Sequence, residues 1–232
     1  LEGWDAPCDI PGESTADTIT YTVTHPGGAT GIFRLNVARQ YRHYVPRICV
    51  RETETYRYLQ IPNVSDSFAM TQKVVYGPGV PGMTWNYTYS GGNGLAFADV
   101  CASGGPFCDQ RRIVTITGPD NTFAREEYGI SYGINEGQLL KREVGSGPSA
   151  ILETTLYEYA DEADANSQPY PWVAGQGLVM WSDPMPKQMR PRKKVTVQRQ
   201  GHDFVNRTTT FDAFARPSIV YRESDLPVAI PS

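Results

Sequence analysis

The chain has 232 residues and a mass of 25.7 kDa, which is enough to bury a core in one large domain or two small ones. Its 22 glycines and 18 prolines argue against a helical bundle, and its net charge of -4 argues against a nucleic-acid partner, which needs a basic face. No apolar run approaches the roughly 20 residues that span a bilayer, so no membrane span is expected.

The first predicted element is a β-hairpin. Residues 18–24 (TITYTVT) alternate strictly between apolar and threonine side chains, which is typical of a strand. Residues 25–28 (HPGG) break the strand, and residues 32–37 carry the chain back. The period of two therefore predicts two antiparallel strands joined by a tight turn.

The same strand-turn-strand pattern returns at uneven intervals along the chain. Residues 74–79 and 85–89 make a second hairpin, and residues 113–121 with 122–131 make a third. A fourth begins at residues 194–198 and leads into a last hairpin over residues 207–221. These repeats predict an all-β, antiparallel fold, either an extended or curved sheet or a barrel- or sandwich-like arrangement.

Residues 151–159 (ILETTLYEY) alternate as a strand, with a short helix as the alternative. Residues 161–171 (DEADANSQPYP) are acidic, small and interrupted by proline, so they predict an exposed loop. We interpret residues 1–232 as one all-β repeat-type region, or as two subregions divided near this loop.

Few residues suggest catalysis or metal binding. The three histidines are scattered, no nucleophile motif is present, and the acidic pairs are more typical of solvated strand faces. The acidic stretch at 161–166 lacks the glycine and the distal glutamate of an EF-hand calcium loop. We therefore expect a protein that is not an enzyme and that needs no cofactor or metal.

Cys101 and Cys108 flank a flexible ASGGPF loop and could close a local disulfide. With Cys8 and Cys49 the chain has four cysteines, which allow three connectivities. None of the four lies in a CxxC motif, which argues against a zinc site.

Three aromatic residues, Trp85, Tyr87 and Tyr89, alternate along one predicted strand and therefore share a face. Such a row could stack on sugar rings in a carbohydrate- or ligand-binding β-sandwich. The alternative is that the rings form the inner face of a sheet, which the polar Asn86 and Thr88 on the opposite face favour.

The last hairpin contains the most specific sequence motif in the chain. Its turn reads Phe211-Asp212, two residues, then Ala215-Arg216. This turn resembles the tyrosine-aspartate (YD) or Rhs repeat, in which Tyr-Asp, two residues and Gly-Arg form the turn of each hairpin. Phe here replaces Tyr, and Ala replaces Gly, which raises the question of whether Ala215 adopts a positive φ.

The resemblance implies the region leading into the repeats of a bacterial Rhs-type protein. In that family the hairpins wind as one antiparallel sheet into a hollow shell around an effector. The resemblance therefore implies a secreted or cell-surface structural role without catalysis. The expected partners are the rest of the parent chain or an effector or toxin cargo, with glycan or a cell surface as further partners.

Overall fold

The computed structural model describes residues 17–45, 64–92, 96–97, 101, 111–173 and 188–226. Strands are the dominant elements of the described residues, so the all-β prediction is confirmed. The strands are β1 (Thr18–Thr24), β2 (Thr30–Tyr41), β3 (His43–Val45), β4 (Val64–Gly77), β5 (Val80–Ser90), β6 (Ala96–Phe97), β7 (Arg112–Thr117), β8 (Phe123–Tyr128), β9 (Leu139–Gly145), β10 (Ile151–Tyr159), β11 (Arg192–Arg199), β12 (His202–Phe211) and β13 (Pro217–Ser224). One helical turn, α1 (Glu162–Ala165), and one 3-10 turn (Pro119–Asn121) complete the elements.

Eleven strands form one open antiparallel sheet, and their order in the sheet is their order in the chain. Only β3 and β6 stand apart, as a separate parallel pair. The predicted hairpins correspond to β1/β2, β4/β5, β7/β8, β11/β12 and β12/β13. The chain divides into two compact units, residues 1–138 and 139–232, which are described separately below.

Turn chemistry explains why these strands reverse where they do. Gln200 and Gly201 both have positive φ, as a two-residue type I′ hairpin turn requires, and they join Arg199 directly to its cross-strand partner His202. In the turn Pro78-Gly79, proline fixes the first φ and Gly79 supplies the positive one (φ 72°). These two reversals are therefore encoded by two local residues each.

In the first unit, strand register sorts side chains onto two chemically different faces. Residues directly opposite each other in neighbouring strands lie on the same side of a sheet. One side, which we call the aromatic face, carries Tyr21, Phe33, Leu35, Arg39, Asp66, Phe68, Met70, Lys73, Trp85, Tyr87, Tyr89, Arg112, Val114, Ile116 and Glu126. The other side, the polar face, is mainly polar and carries Thr20, Arg34, Asn36, Gln72, Thr84, Asn86, Thr88, Thr115 and Thr117, together with the apolar Ile32, Val74 and Ile113.

The sheet of the first unit curls towards its aromatic face. Strands β2 and β8 are separated by three other strands, yet His43, just after β2, bonds the chain that follows β8. The His43 amide donates to Ile130 O (2.9 Å), and the Tyr132 amide donates to His43 O (2.8 Å). These bonds draw one end of the sheet together.

The end of the sheet that these bonds join, which we call the closed end, contains the best-buried residues of the first unit. His43 and Val45 have essentially no exposed surface, and Val64, Ile130 and Tyr132 are also buried. Arg42 makes a bidentate ion pair with Glu136 (2.5 and 2.8 Å) while its guanidinium lies 4.5 Å from the centre of the Tyr132 ring. At the opposite end Tyr21 and Val23 remain more than half exposed.

Among the described residues of the second unit, the buried apolar cluster lies around Phe211. Ala165, Tyr170 and Phe211 form a buried cluster, with Trp172 and Met189 packed against it. The prediction that residues 161–171 are simply an exposed loop is wrong in part. The segment contains the helical turn α1, and its Ala165 and Tyr170 are 3% exposed because they cover the Phe211 ring.

The glycines at the ends of β5 offer a matched test of the fold. Gly91 has φ 71°, and a Cβ there would collide with the Arg111 carbonyl; Gly79 has φ 72° and open space around it. We expect Gly79→Ala to cost roughly 1 kcal/mol through backbone strain alone, and Gly91→Ala roughly 2–4 kcal/mol because the clash adds to that strain. Urea unfolding of both variants measures the difference, and equal losses would contradict the packing at Gly91.

Candidate functional site

The described residues contain two candidate sites. The first is the β12–β13 turn, which has the YD-like motif. The Phe211 ring is buried at 4% exposure, and Asp212 begins the turn. One Asp212 carboxylate oxygen accepts the amides of Phe214 (2.9 Å) and Arg216 (3.0 Å), and the other accepts the Arg216 Nε (2.7 Å). A single carboxylate thus holds both sides of the turn together.

Ala215 adopts the left-handed conformation, with φ 58°. Its amide donates to Asp212 O (3.0 Å), and the Asp212 amide donates to Arg216 O (2.9 Å), which is the pattern of a type I turn followed by a left-handed residue. The backbone therefore uses the conformation that glycine allows, although alanine occupies the position and pays a steric penalty there.

The β1–β2 turn is built in the same way. The Gly28 amide donates to His25 O (2.8 Å), the His25 amide donates to Ala29 O (2.7 Å), and Gly28 has φ 84°. The His25 Nδ1 accepts the Gly27 amide (3.0 Å), as the Asp212 carboxylate accepts that of Phe214. The first and last hairpins thus share one turn geometry, but only the last has the arginine partner.

Arg216 lies over the turn that it stabilises. Its guanidinium is 2.7 Å from the Asp212 carboxylate and 5.0 Å from the centre of the Phe214 ring, which is 72% exposed. The Arg216 hydrogen bond, assisted by the backbone amides, lowers the pKa of Asp212 below its ordinary value. The turn therefore presents an aromatic ring and a cation to solvent on a rigid base.

Gln168 and Tyr170, in the connection between β10 and β11, contact the same turn on its buried side. The Tyr170 ring meets the Phe211 ring edge-on, with centroids 5.6 Å apart. The Gln168 side chain accepts the Phe211 amide (2.9 Å) and donates to Thr209 O (3.2 Å), at the point where β12 bulges. Sequence reasoning missed Gln168 and Tyr170 because they lie about 40 positions before their contacts and match no motif.

Two acidic residues of this connection, Asp161 and Asp164, are engaged in structural bonds. Asp161 and Asp164 form a reciprocal capping box at α1, and Lys193 Nζ lies 2.6 Å from the Asp164 carboxylate. The basic residues of β11 are likewise engaged, with Lys194 paired to Glu158 (2.8 Å). Among the described residues, no group of three His, Cys, Asp or Glu side chains could hold a metal ion.

The second candidate site is the aromatic face of the first unit. Trp85, Tyr87 and Tyr89 lie on this face as a row along β5, and all three are partly exposed. The Tyr89 hydroxyl donates to Met70 O (2.8 Å), and burial raises the pKa of both Tyr87 and Tyr89. The row therefore runs from the open end at Trp85 towards the closed end of the sheet.

The intervening residues of β5 face the other way. Asn86 and Thr88 are exposed on the polar face. The Asn86 side chain accepts a hydrogen bond from Gln72 (3.0 Å), and Gln72 in turn accepts one from Arg34. This ladder ties β2, β4 and β5 together behind the aromatic row.

Two cations flank the aromatic row. Lys73, directly opposite Trp85, places its ammonium 4.3 Å from the centre of the Trp85 ring. Arg112 lies diagonally from Tyr89 and donates to Arg39 O (3.3 Å), across the curl of the sheet. Sequence reasoning missed both, because their place on this face depends on register between strands that are not local in sequence.

Cys101 is buried and disulfide-bonded. Cys108 lies outside the described residues, so the predicted pairing of Cys101 with Cys108 stays a prediction. No helix in the described ranges is both long and apolar enough to cross a bilayer.

The chain matches no protein-family model, and no characterised protein or solved structure matches it in sequence or fold.

The left-handed Ala215 generates a stability prediction. We expect Ala215→Gly to raise the free energy of unfolding by roughly 0.5–1 kcal/mol, because glycine relieves the strain at φ 58° by more than it adds to unfolded-chain entropy. Ala213→Gly in the same turn is the matched control. Ala213 is not among the residues with positive φ, so glycine there should destabilise slightly. If neither variant is more stable than the native chain, the result contradicts the turn geometry.

The Asp212 carboxylate generates a pH prediction. Its pKa is lowered in the folded state, so its contribution to stability is present above the ordinary carboxyl pKa and is lost as the pH falls through the lowered value. The stability gap between the native chain and Asp212→Asn should therefore be largest near neutral pH and close in acid. Urea midpoints between about pH 7 and about pH 2.5 measure it. Asp120→Asn, in another exposed turn, is the control, and a pH-independent gap for Asp212→Asn would contradict the role of its charge.

Proposed function

We propose that this chain is a structural module of an Rhs/YD-repeat protein, without catalytic activity. Its role is to form part of a wall that encloses or presents an effector, or that contacts a surface outside the cell. The observation that carries the proposal is the in-order sheet, in which successive hairpins add strands one after another. The YD-like turn at Asp212, with its Arg216 partner, supports the same family.

The last strand supports growth of the sheet beyond residue 224. Among the described residues β13 pairs with β12 only, and every residue of β13 is exposed. Its Ile219, Val220 and Tyr221 are 48%, 46% and 55% exposed. An apolar strand with one free edge is a template for another strand, which in this proposal is the next hairpin of the parent chain.

Amide hydrogen exchange tests this role. In the isolated chain, the β13 amides that point away from β12 should exchange rapidly. In the parent protein, extended on either side, they should exchange at least roughly tenfold more slowly, because a following strand bonds them. The amides of β11, which has neighbours on both sides, are the control and should change little. Unchanged exchange in β13, or a parent sequence without further Tyr-Asp hairpins, would overturn the proposal.

A second function, carbohydrate or ligand binding, is favoured by one specific observation. Trp85, Tyr87 and Tyr89 lie in a row on the face towards which the sheet curls, and each keeps part of its ring exposed. A flat row of half-exposed rings suits a ligand that has apolar faces and polar edges, as sugars do.

A further inference from the structure

The aromatic face carries positive charge at both ends of its aromatic row. Lys73 lies beside Trp85, at the open end, and Arg112 lies beside Tyr89, at the closed end. The two cations are about 20 Å apart along the strand direction, because Lys73 lies opposite Trp85 and Arg112 lies opposite position 91, six residues further along β5. This local charge is opposite in sign to the net charge of -4 of the chain.

Neither cation is paired with a carboxylate in the described ranges. The Lys73 ammonium has the Trp85 ring as its contact, and Arg112 has one long bond to a carbonyl, at 3.3 Å. The Arg112 Nε is buried without a hydrogen-bond partner among the described residues, and burial lowers the pKa of its guanidinium. Arg112 as a residue keeps part of its surface exposed, and a carboxylate is the acceptor that best fits the remaining N–H groups of its guanidinium.

The aromatic face carries further charged side chains, and each has a hydrogen-bond partner. Arg39 holds Asp66 through two hydrogen bonds of 3.0 Å, and the Glu126 carboxylate accepts the Tyr128 hydroxyl (2.7 Å). Arg39 and Asp66 neutralise one another, whereas the Tyr128 hydroxyl is neutral and leaves the charge of Glu126 in place. An anionic group at the Trp85 end of the row would meet Lys73, and one at the Tyr89 end would meet Arg112, with Glu126 two strands away from Tyr89 on the same face.

The backbone of the sheet decides between a sugar and a peptide. Backbone groups in the interior of a sheet bond their neighbouring strands and offer nothing to a ligand lying on the face. An extended peptide on that face would leave its own amides without protein partners, whereas a saccharide keeps its hydroxyls at its edges, in water. Aromatic rings also match the flat apolar side of a pyranose.

From these contacts we infer that the aromatic face binds a carboxylate-bearing oligosaccharide, whose rings stack along Trp85, Tyr87 and Tyr89 and whose carboxylates reach Arg112 and Lys73. The inference rests on the second proposed function, in which this face is a binding surface. It adds the chemical class of the ligand and names two charged residues that set the specificity.

Binding of an oligomer of galacturonic acid, compared with its methyl ester, tests the inference by calorimetry. The two probes share one backbone and differ in charge. We expect the acid to bind and the ester to bind at least roughly tenfold more weakly, because esterification removes the acceptors for Arg112 and Lys73. Added salt should weaken binding of the acid more than that of the ester.

Variants of the two cations locate the effect. Arg112→Gln and Lys73→Gln should each lower the affinity for the acid by roughly three- to tenfold, and Arg112→Lys should restore part of it. Arg222→Gln is the matched control, since it removes one positive charge from an exposed position of β13 in the second unit. Trp85→Ala should weaken both probes. Circular dichroism and urea midpoints establish that each variant is folded.

The outcomes separate the two ideas. Equal binding of acid and ester that is lost in Trp85→Ala overturns the inferred specificity but keeps the binding surface. Binding of neither probe by the folded protein overturns both. An equal loss in Arg222→Gln and Arg112→Gln overturns the inference as well, because it would mean that the net charge of the chain, and not a specific site, attracts the acid.

Discussion

The register of backbone hydrogen bonds between successive strands is the constraint on which the first unit depends. Side chains alternate along a strand, so a slip of one residue between β4 and β5 would move Trp85 to the polar face and Asn86 to the aromatic one. The side-chain ladder from Arg34 through Gln72 to Asn86 forms only in the observed register. Polar bonds on one face thus fix the position of aromatic rings on the other.

Curvature gives the same face its second property. A flat sheet would leave the rings of β5 as exposed as those of an edge strand, whereas the bonds between His43 and residues 130–132 bend the sheet over them. Burial along the row therefore increases towards the closed end, where Arg112 crosses the curl. The closed end of the face therefore combines burial with the positive charge of Arg112, so the two ends of the face differ chemically.

Local sequence signals carried most of the fold. The alternation in Thr18–Thr24 and the turn residues at Pro78-Gly79 and Gln200-Gly201 encode strands and reversals without reference to distant residues. The same signals could place Trp85, Tyr87 and Tyr89 on one face of their own strand. They could not place Lys73 or Arg112 beside that row, because register across several strands arises from packing.

The residues that pack over Phe211 could not be predicted from local sequence signals. Their position in the chain has a consequence for biosynthesis. Ala165 and Tyr170 precede Phe211 in the chain by about 40 residues. At a ribosomal rate of about 5–20 residues per second, Phe211 is synthesised roughly 2–8 seconds after Ala165 and Tyr170. During that interval the capping box of α1 can already form, but its apolar side has nothing to cover. The connection between β10 and β11 is therefore completed only by a strand that the ribosome adds later.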